Sequence, residues 1–236
     1  MQETSNEEQT AELWSKEYMR RGLPSSFRAD PSGSVVLFSK HLGQDLSGMH
    51  GLDVGAGTGR NSIYLAKLGA HVTALEIVPE LVDGINQAGK ELNLQLQAQR
   101  ANVGSRWPVG NDNYDFVVDT FCYKHLSCES EREKYRLELE RVIKEDGHFL
   151  LTLASTNDSY YGSLAPAQDG SLRVVIDPAN QIPSVLYDKD SITSTFSPGF
   201  ILELYTNKRK PSLMHGACLP RSTHVFVFKR SRDERL

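Results

Sequence analysis

The chain has 236 residues, 26 basic against 30 acidic side chains, and a net charge of −4, enough for one large domain or two small ones and lacking the basic footprint of a general nucleic-acid binder. No apolar run approaches the ~20 residues of a membrane span, the N-terminus is acidic and polar where a signal peptide is basic and apolar, and Cys122, Cys128 and Cys218 show neither a full disulfide pairing nor a metal-ligand spacing. Membrane, secreted, disulfide-stapled and zinc-bound classes are poor readings; the expectation is a cytoplasmic protein with reduced thiols and no metal, membrane or nucleic-acid partner.

Residues 1–9 read as a disordered tail, and 10–236 as a single domain. From Thr10 an apolar stripe of Ala11, Trp14 and Tyr18 predicts a helix that Gly22-Leu23-Pro24 stops. A second helix is expected from Asp30-Pro31, with Val35, Phe38 and Leu42 on one face and Gly43 at its end. From Met49 the chain alternates strand and helix. Strands are predicted at Met49–Val54, Ala70–Val78, within Leu94–Ala101, at Asp115–Asp119 and at Phe149–Leu153. The intervening helices cover Asn61–Leu68, the segment from Pro79 through Ala88, and Ser130–Lys144. This rhythm implies βαβ units and a mostly parallel sheet.

After Ala154 the rhythm breaks. Residues 155–187 read as an insertion on the substrate side, with short strands at Leu172–Ile176 and Pro183–Tyr187. A short helix at Asp188–Phe196 and strands at Phe200–Tyr205 and His224–Lys229 complete the chain. The fold class expected is α/β: a Rossmann-like, doubly wound, seven-stranded sheet with an antiparallel last strand, two N-terminal helices, and the insertion between strands five and six.

The most informative stretch is Asp53-Val54-Gly55-Ala56-Gly57-Thr58-Gly59-Arg60, which follows the first strand and opens a helix. Glycines there allow positive φ and close backbone approach, and free amides at a helix start favour anionic groups. A dinucleotide fingerprint needs glycine where Arg60 stands, so a nicotinamide oxidoreductase is disfavoured. Glu76 falls at the end of the second strand, where a carboxylate can accept from ribose hydroxyls. The competing reading is a plain strand-to-helix turn beside a solvated Glu76.

The spacing acid-x-Gly-x-Gly-x-Gly resembles motif I of class I S-adenosylmethionine-dependent methyltransferases. Gly59-Arg60-Asn61-Ser62 with Tyr64-Leu65-Ala66 narrows the resemblance to the tellurite-resistance (TehB-like) branch and its thiopurine-methyltransferase relatives. It covers residues 10–154 as a fold. It implies S-adenosylmethionine as cofactor, held by Asp53, Gly55, Ala56, Gly57, Gly59, Glu76, Ile77, Asn102, Val103 and Asp119. An arginine near the N-terminus (Arg20, Arg21 or Arg28) would pair the cofactor carboxylate. Trp14 and Tyr18 resemble the aromatic helix that covers it, or are core anchors of a packed helix.

The segment after the fourth strand, Asp119-Thr120-Phe121-Cys122-Tyr123-Lys124-His125, faces the expected reaction site. It lacks the Asn/Asp-Pro-Pro-Tyr of relatives that methylate adenine or side-chain amides. Cys122 reads as a small buried hydrophobe; His125 is a candidate base or a helix-start histidine without a role. His215 matches a substrate-facing histidine of the tellurite-resistance branch. Gly216, however, stands where that branch has arginine, and Arg221 is the nearest replacement. Tyr160, Tyr161 and Arg221 are candidate substrate contacts, and the basic run Asn207-Lys208-Arg209-Lys210 is a solvated face or a guide for an anionic substrate. The expected function is methyl transfer to a small molecule by in-line displacement, with positioning and a histidine base. The alternative is a non-catalytic cofactor-binding sensor or subunit.

Overall fold

The computed structural model describes residues 2–19, 29–167 and 172–231. Its elements are α1 (Gln2–Met19), α2 (Gly33–His41), β1 (His50–Val54), α3 (Arg60–Lys67), β2 (His71–Glu76), α4 (Pro79–Glu91), β3 (Leu96–Arg100) and β4 (Tyr114–Thr120). They continue with α5 (Glu129–Val142), β5 (Ile143–Ala154), β6 (Arg173–Ile176), β7 (Pro183–Leu186), α6 (Lys189–Phe196), β8 (Phe200–Met214) and β9 (Ala217–Arg230).

Seven strands form one sheet in the order β3-β2-β1-β4-β5-β9-β8. All pairs up to β4–β5 are parallel, and β9 runs antiparallel to both β5 and β8. The strands alternate their apolar residues between two faces, as a sheet covered on both sides requires. Leu52, Val117, Phe149, Leu151 and Phe228 pack with Tyr135 and Leu139 of α5 and Phe196 of α6. Phe116, Val118, Leu150 and Val227 pack with Phe38 of α2 and Leu65 of α3 on the other face. Helices on both faces make the sheet doubly wound, as the sequence predicted. The strand order reverses between β1 and β4, and a crevice opens beyond their carboxyl ends.

Several boundaries differ from expectation. The helix α1 starts at Gln2, inside the stretch predicted to be disordered. Helix-favouring Gln and Glu carry its first turns, which have no apolar stripe, and further along exposed Lys16 pairs with Glu12 one turn away at 2.6 Å. The strand β5 begins at Ile143, because Glu145-Asp146-Gly147 forms an irregularity within it: the register with β4 jumps from Tyr114↔Ile143 to Phe116↔His148. The largest difference is at the C-terminal end. Strands β8 and β9 pair from Phe200↔Arg230 to Met214↔Ala217, a hairpin whose turn is His215-Gly216 alone. Both turn residues have positive φ, 45° and 83°, the conformation whose twist suits a two-residue hairpin. The basic run 207–210 therefore lies within β8, and Arg221 within β9. Among the described residues no helix is long and apolar enough to cross a membrane.

Candidate active site

A cavity of about 490 Å³ opens at the strand-order reversal, between the glycine loop, α1, the β4 exit and the β8–β9 hairpin. Its size lies in the range of roughly 300–1,000 Å³ typical of ligand pockets. The loop Gly55–Gly59 forms one wall. All three of its glycines have positive φ, and a Cβ on Gly57 would collide with the Tyr18 hydroxyl group. Close backbone approach is thus a steric requirement here.

The loop is tied to the end of β2. The Gly57 amide donates to Glu76 Oε2 at 2.7 Å, while the Ile77 and Val78 amides donate to Oε1 at 2.9 and 3.1 Å. Burial raises the Glu76 pKa, and the three amides oppose that shift. Ile77, Asn102 and Val103 line the cavity beside it. The Asn102 side chain accepts from the Gly104 amide at 3.0 Å, which shapes the turn after β3.

Three predicted cofactor residues lie outside the cavity lining and support it from behind. Asp53 is fully buried and accepts from the Ser62 hydroxyl at 2.6 Å, with its pKa pushed up by burial to about 6. Gly59 caps α3, where a side chain would meet Ile85. Asp119 accepts from the Cys122 and Tyr123 amides and from the Tyr135 hydroxyl, each at 2.8 Å, and fixes the path of the β4 exit. Burial raises its pKa to about 7. These carboxylates sit beneath the site because β1 and β4 are central strands whose side chains point into the layers short of their carboxyl ends, where the crevice opens.

The β4 exit brings Cys122, Lys124 and His125 into the cavity lining. Burial first, then the Asp119, Glu76 and Asp53 carboxylates, raise the Cys122 pKa and hold it as a neutral thiol. His125 Nδ1 lies 2.7 Å from the Pro183 carbonyl oxygen, and Trp14 packs edge-on against the ring at 4.8 Å. The carbonyl only accepts, so Nδ1 carries the proton and Nε2 the lone pair. Burial, and then the Lys124 cation, hold the His125 pKa well below the usual histidine range.

Lys124 was not singled out by the sequence. It is 2% exposed, its ammonium donates to Ser184 Oγ at 3.0 Å, and it lies 3.9 Å above the Tyr161 ring centroid. Burial, then Arg221, lower its pKa to about 7, against the opposing pull of Asp158 and Asp177. One lysine in an apolar run gives no signal of burial, because lysine is ordinarily exposed.

The insertion and the hairpin form the far wall. Arg221 Nε bonds both oxygens of buried Asp158 at 3.0 and 2.8 Å, and its guanidinium lies 5.2 Å from the Tyr161 ring centroid. Arg221 and Tyr161 line the cavity, but Tyr160 and His215 do not. The Tyr160 hydroxyl donates to Asp177 Oδ1 at 2.7 Å, and His215 Nε2 lies 2.9 Å from Asp177 Oδ2. Both hold the hairpin tip to the insertion, so the structure places His215 and Tyr160 in this tie and not in the cavity wall. Trp14 and Tyr18 line the cavity from α1, whereas Arg20, Arg21 and Arg28 lie outside the described residues.

Residues 52–151 match the family described as "Methyltransferase domain". Ribosomal protein L11 methyltransferase of Dictyoglomus thermophilum is 34% identical over 118 residues, 49% of this chain and 35% of that protein. The matched region spans 35–46% of the length of these curated relatives. Two solved structures share the fold over most of this chain. A Burkholderia thailandensis 1,6-didemethyltoxoflavin-N1-methyltransferase, with 1,6-didemethyltoxoflavin and S-adenosylhomocysteine bound, gives a TM-score of 0.63 at 17% identity over 98% of this chain and 86% of that one. TehB from Haemophilus influenzae gives 0.62 at 17% identity over 93% of this chain and 66% of that one. Residues 52–151 are thus similar to a methyltransferase domain, and the chain has the fold of the class I S-adenosylmethionine-dependent methyltransferases.

Proposed function

We propose that the chain transfers a methyl group from S-adenosylmethionine to a small molecule bound in the cavity between the glycine loop and the β8–β9 hairpin. The observation that carries this reading is the continuity of that cavity: Gly57 and Glu76 line one end and His125, Lys124 and Arg221 the other. The cradle fits the cofactor. It combines a loop that tolerates no Cβ at Gly57, a carboxylate at the end of β2 for hydroxyl groups, and Asn102 and Val103 beside it.

When bound, S-adenosylmethionine supplies a methyl group on a sulfonium; the acceptor–carbon bond forms as the sulfur–carbon bond breaks, and sulfur keeps the electron pair. The protein aligns the acceptor and excludes water. Trp14 and Tyr18 close the cavity from α1. Neutral His125 presents Nε2 as an acceptor for the substrate's X–H group. It takes the proton as methylation makes that group acidic, so a weak base suffices.

Calorimetry with S-adenosylhomocysteine tests the cofactor site: binding that weakens in Glu76→Ala supports it, and no binding by the parent protein overturns it. Turnover of labelled S-adenosylmethionine with a small-metabolite extract separates an enzyme from a cofactor-binding sensor. Product in the metabolite fraction is expected; cofactor binding without any product would favour the sensor.

A further inference from the structure

The charged residues of the cavity are segregated. Glu17, Asp30, Glu76 and Arg60 lie on the side of α1 and the glycine loop, whereas the β4 exit and the hairpin present Lys124, Lys208, Lys210 and Arg221 and no carboxylate. The hairpin register explains the second group. Lys208 pairs with Thr223 and Lys210 with Arg221; directly paired residues share a face, and alternate residues along a strand return to it. Lys208, Lys210, Arg221 and Thr223 all line the cavity, whereas Asn207 and Arg209, the alternate residues of β8, face away. The basic run is thus a strand presenting every second cation to the site.

These positive groups lack full compensation from the protein. Arg221 is matched by Asp158 at 2.8 Å. Lys124 contacts the Ser184 hydroxyl and the faces of the Tyr161 and Phe121 rings, with Asp158 and Asp177 attracting it from beyond ion-pair distance, and Lys208 reaches the Gly33 carbonyl oxygen at 3.3 Å. Among the described residues no carboxylate lies within ion-pair distance of Lys124, Lys208 or Lys210. A buried amine without a carboxylate in direct contact is unfavourable, and an anion entering the cavity supplies that contact.

We infer that the methyl acceptor is a small organic anion, its carboxylate or phosphate group seated against Lys124, Lys208 and Arg221 with Lys210 at the rim. The inference rests on the methyltransferase reading of the same cavity and adds the class of acceptor. The anionic group is a binding handle, held by charge-assisted hydrogen bonds. Binding there draws a proton onto Lys124 whenever its amine is neutral beforehand.

The test is calorimetry at low salt on the full chain loaded with S-adenosylhomocysteine, using benzoate, inorganic phosphate and neutral benzamide as probes. One or both anions should bind at least about tenfold more tightly than benzamide, as charge-assisted contacts require. The double variant Lys208→Gln/Lys210→Gln should lose about fivefold or more of that affinity while retaining S-adenosylhomocysteine binding. Anions that bind no better than benzamide, or that bind the double variant undiminished, overturn the inference. Failure of the parent protein to bind S-adenosylhomocysteine instead overturns the cofactor reading.

Discussion

The Gly57 amide donates to Glu76 Oε2 across 2.7 Å and so links the glycine loop to the carboxyl end of β2. The same carboxylate takes the Ile77 and Val78 amides on its other oxygen. Glu76 therefore shapes the loop as well as facing the cavity. Glu76→Ala should weaken S-adenosylhomocysteine binding by about 1.5–3 kcal/mol, the cost of losing hydrogen bonds to a charged group. Calorimetry reads the change directly, and equal affinities would remove Glu76 from the site.

Gly57 has φ 58° and the Tyr18 hydroxyl group against it. Gly57→Ala should destabilise the chain by about 1–3 kcal/mol through backbone strain and push Tyr18 out of the cavity wall. Urea denaturation measures the first effect and S-adenosylhomocysteine titration the second. A variant matching the parent in both would show that the loop tolerates a side chain.

Lys124 gives a pH signature. Its folded-state pKa, about 7, lies below the unfolded lysine value of about 10.4. Between those values the unfolded chain binds the extra proton, so this residue makes stability rise with pH by at most about 1.4 kcal/mol per pH unit. Lys124→Met should flatten the stability curve between about pH 7 and 10. Denaturation midpoints across that range test it, and identical slopes would place the amine in solvent.

The two histidines should separate. His125→Ala should lower turnover by about a hundredfold or more if its lone pair accepts the acceptor's proton. His215→Ala should leave turnover near the parent's, since that ring is tied to Asp177 outside the cavity lining. Steady-state kinetics with any identified acceptor decides the matter; full activity in both variants would leave catalysis to positioning alone.

Asp119 is predicted to be structural. Asp119→Ala strands the Cys122 and Tyr123 amides and the Tyr135 hydroxyl, so unfolding by urea should show a loss of about 3 kcal/mol or more. Asp119→Asn should lose less, because its amide oxygen can still accept from the Tyr123 amide and the Tyr135 hydroxyl although its NH2 cannot accept from the Cys122 amide. Equal losses in the two would contradict the hydrogen-bond assignment.

The sequence itself determined the βαβ order, the glycine loop and Glu76, because these depend on local rules. Apolar runs separated by amphipathic helices dictate a parallel sheet. Glycines at fixed spacing dictate a loop with positive φ, and the residue ending the next strand must stand beside it. Helix α1 began earlier than expected because its first turns carry no apolar stripe to read. Only the tertiary structure decided the hairpin end of the cavity. Whether Lys208, Lys210 and Arg221 face the site depends on the register between β8 and β9, in a stretch too polar for alternation to reveal a strand. Lys124 is buried and His215 displaced from the cavity for a similar reason: packing of the insertion against the β4 exit and the hairpin tip, a long-range arrangement, sets the surroundings of each side chain.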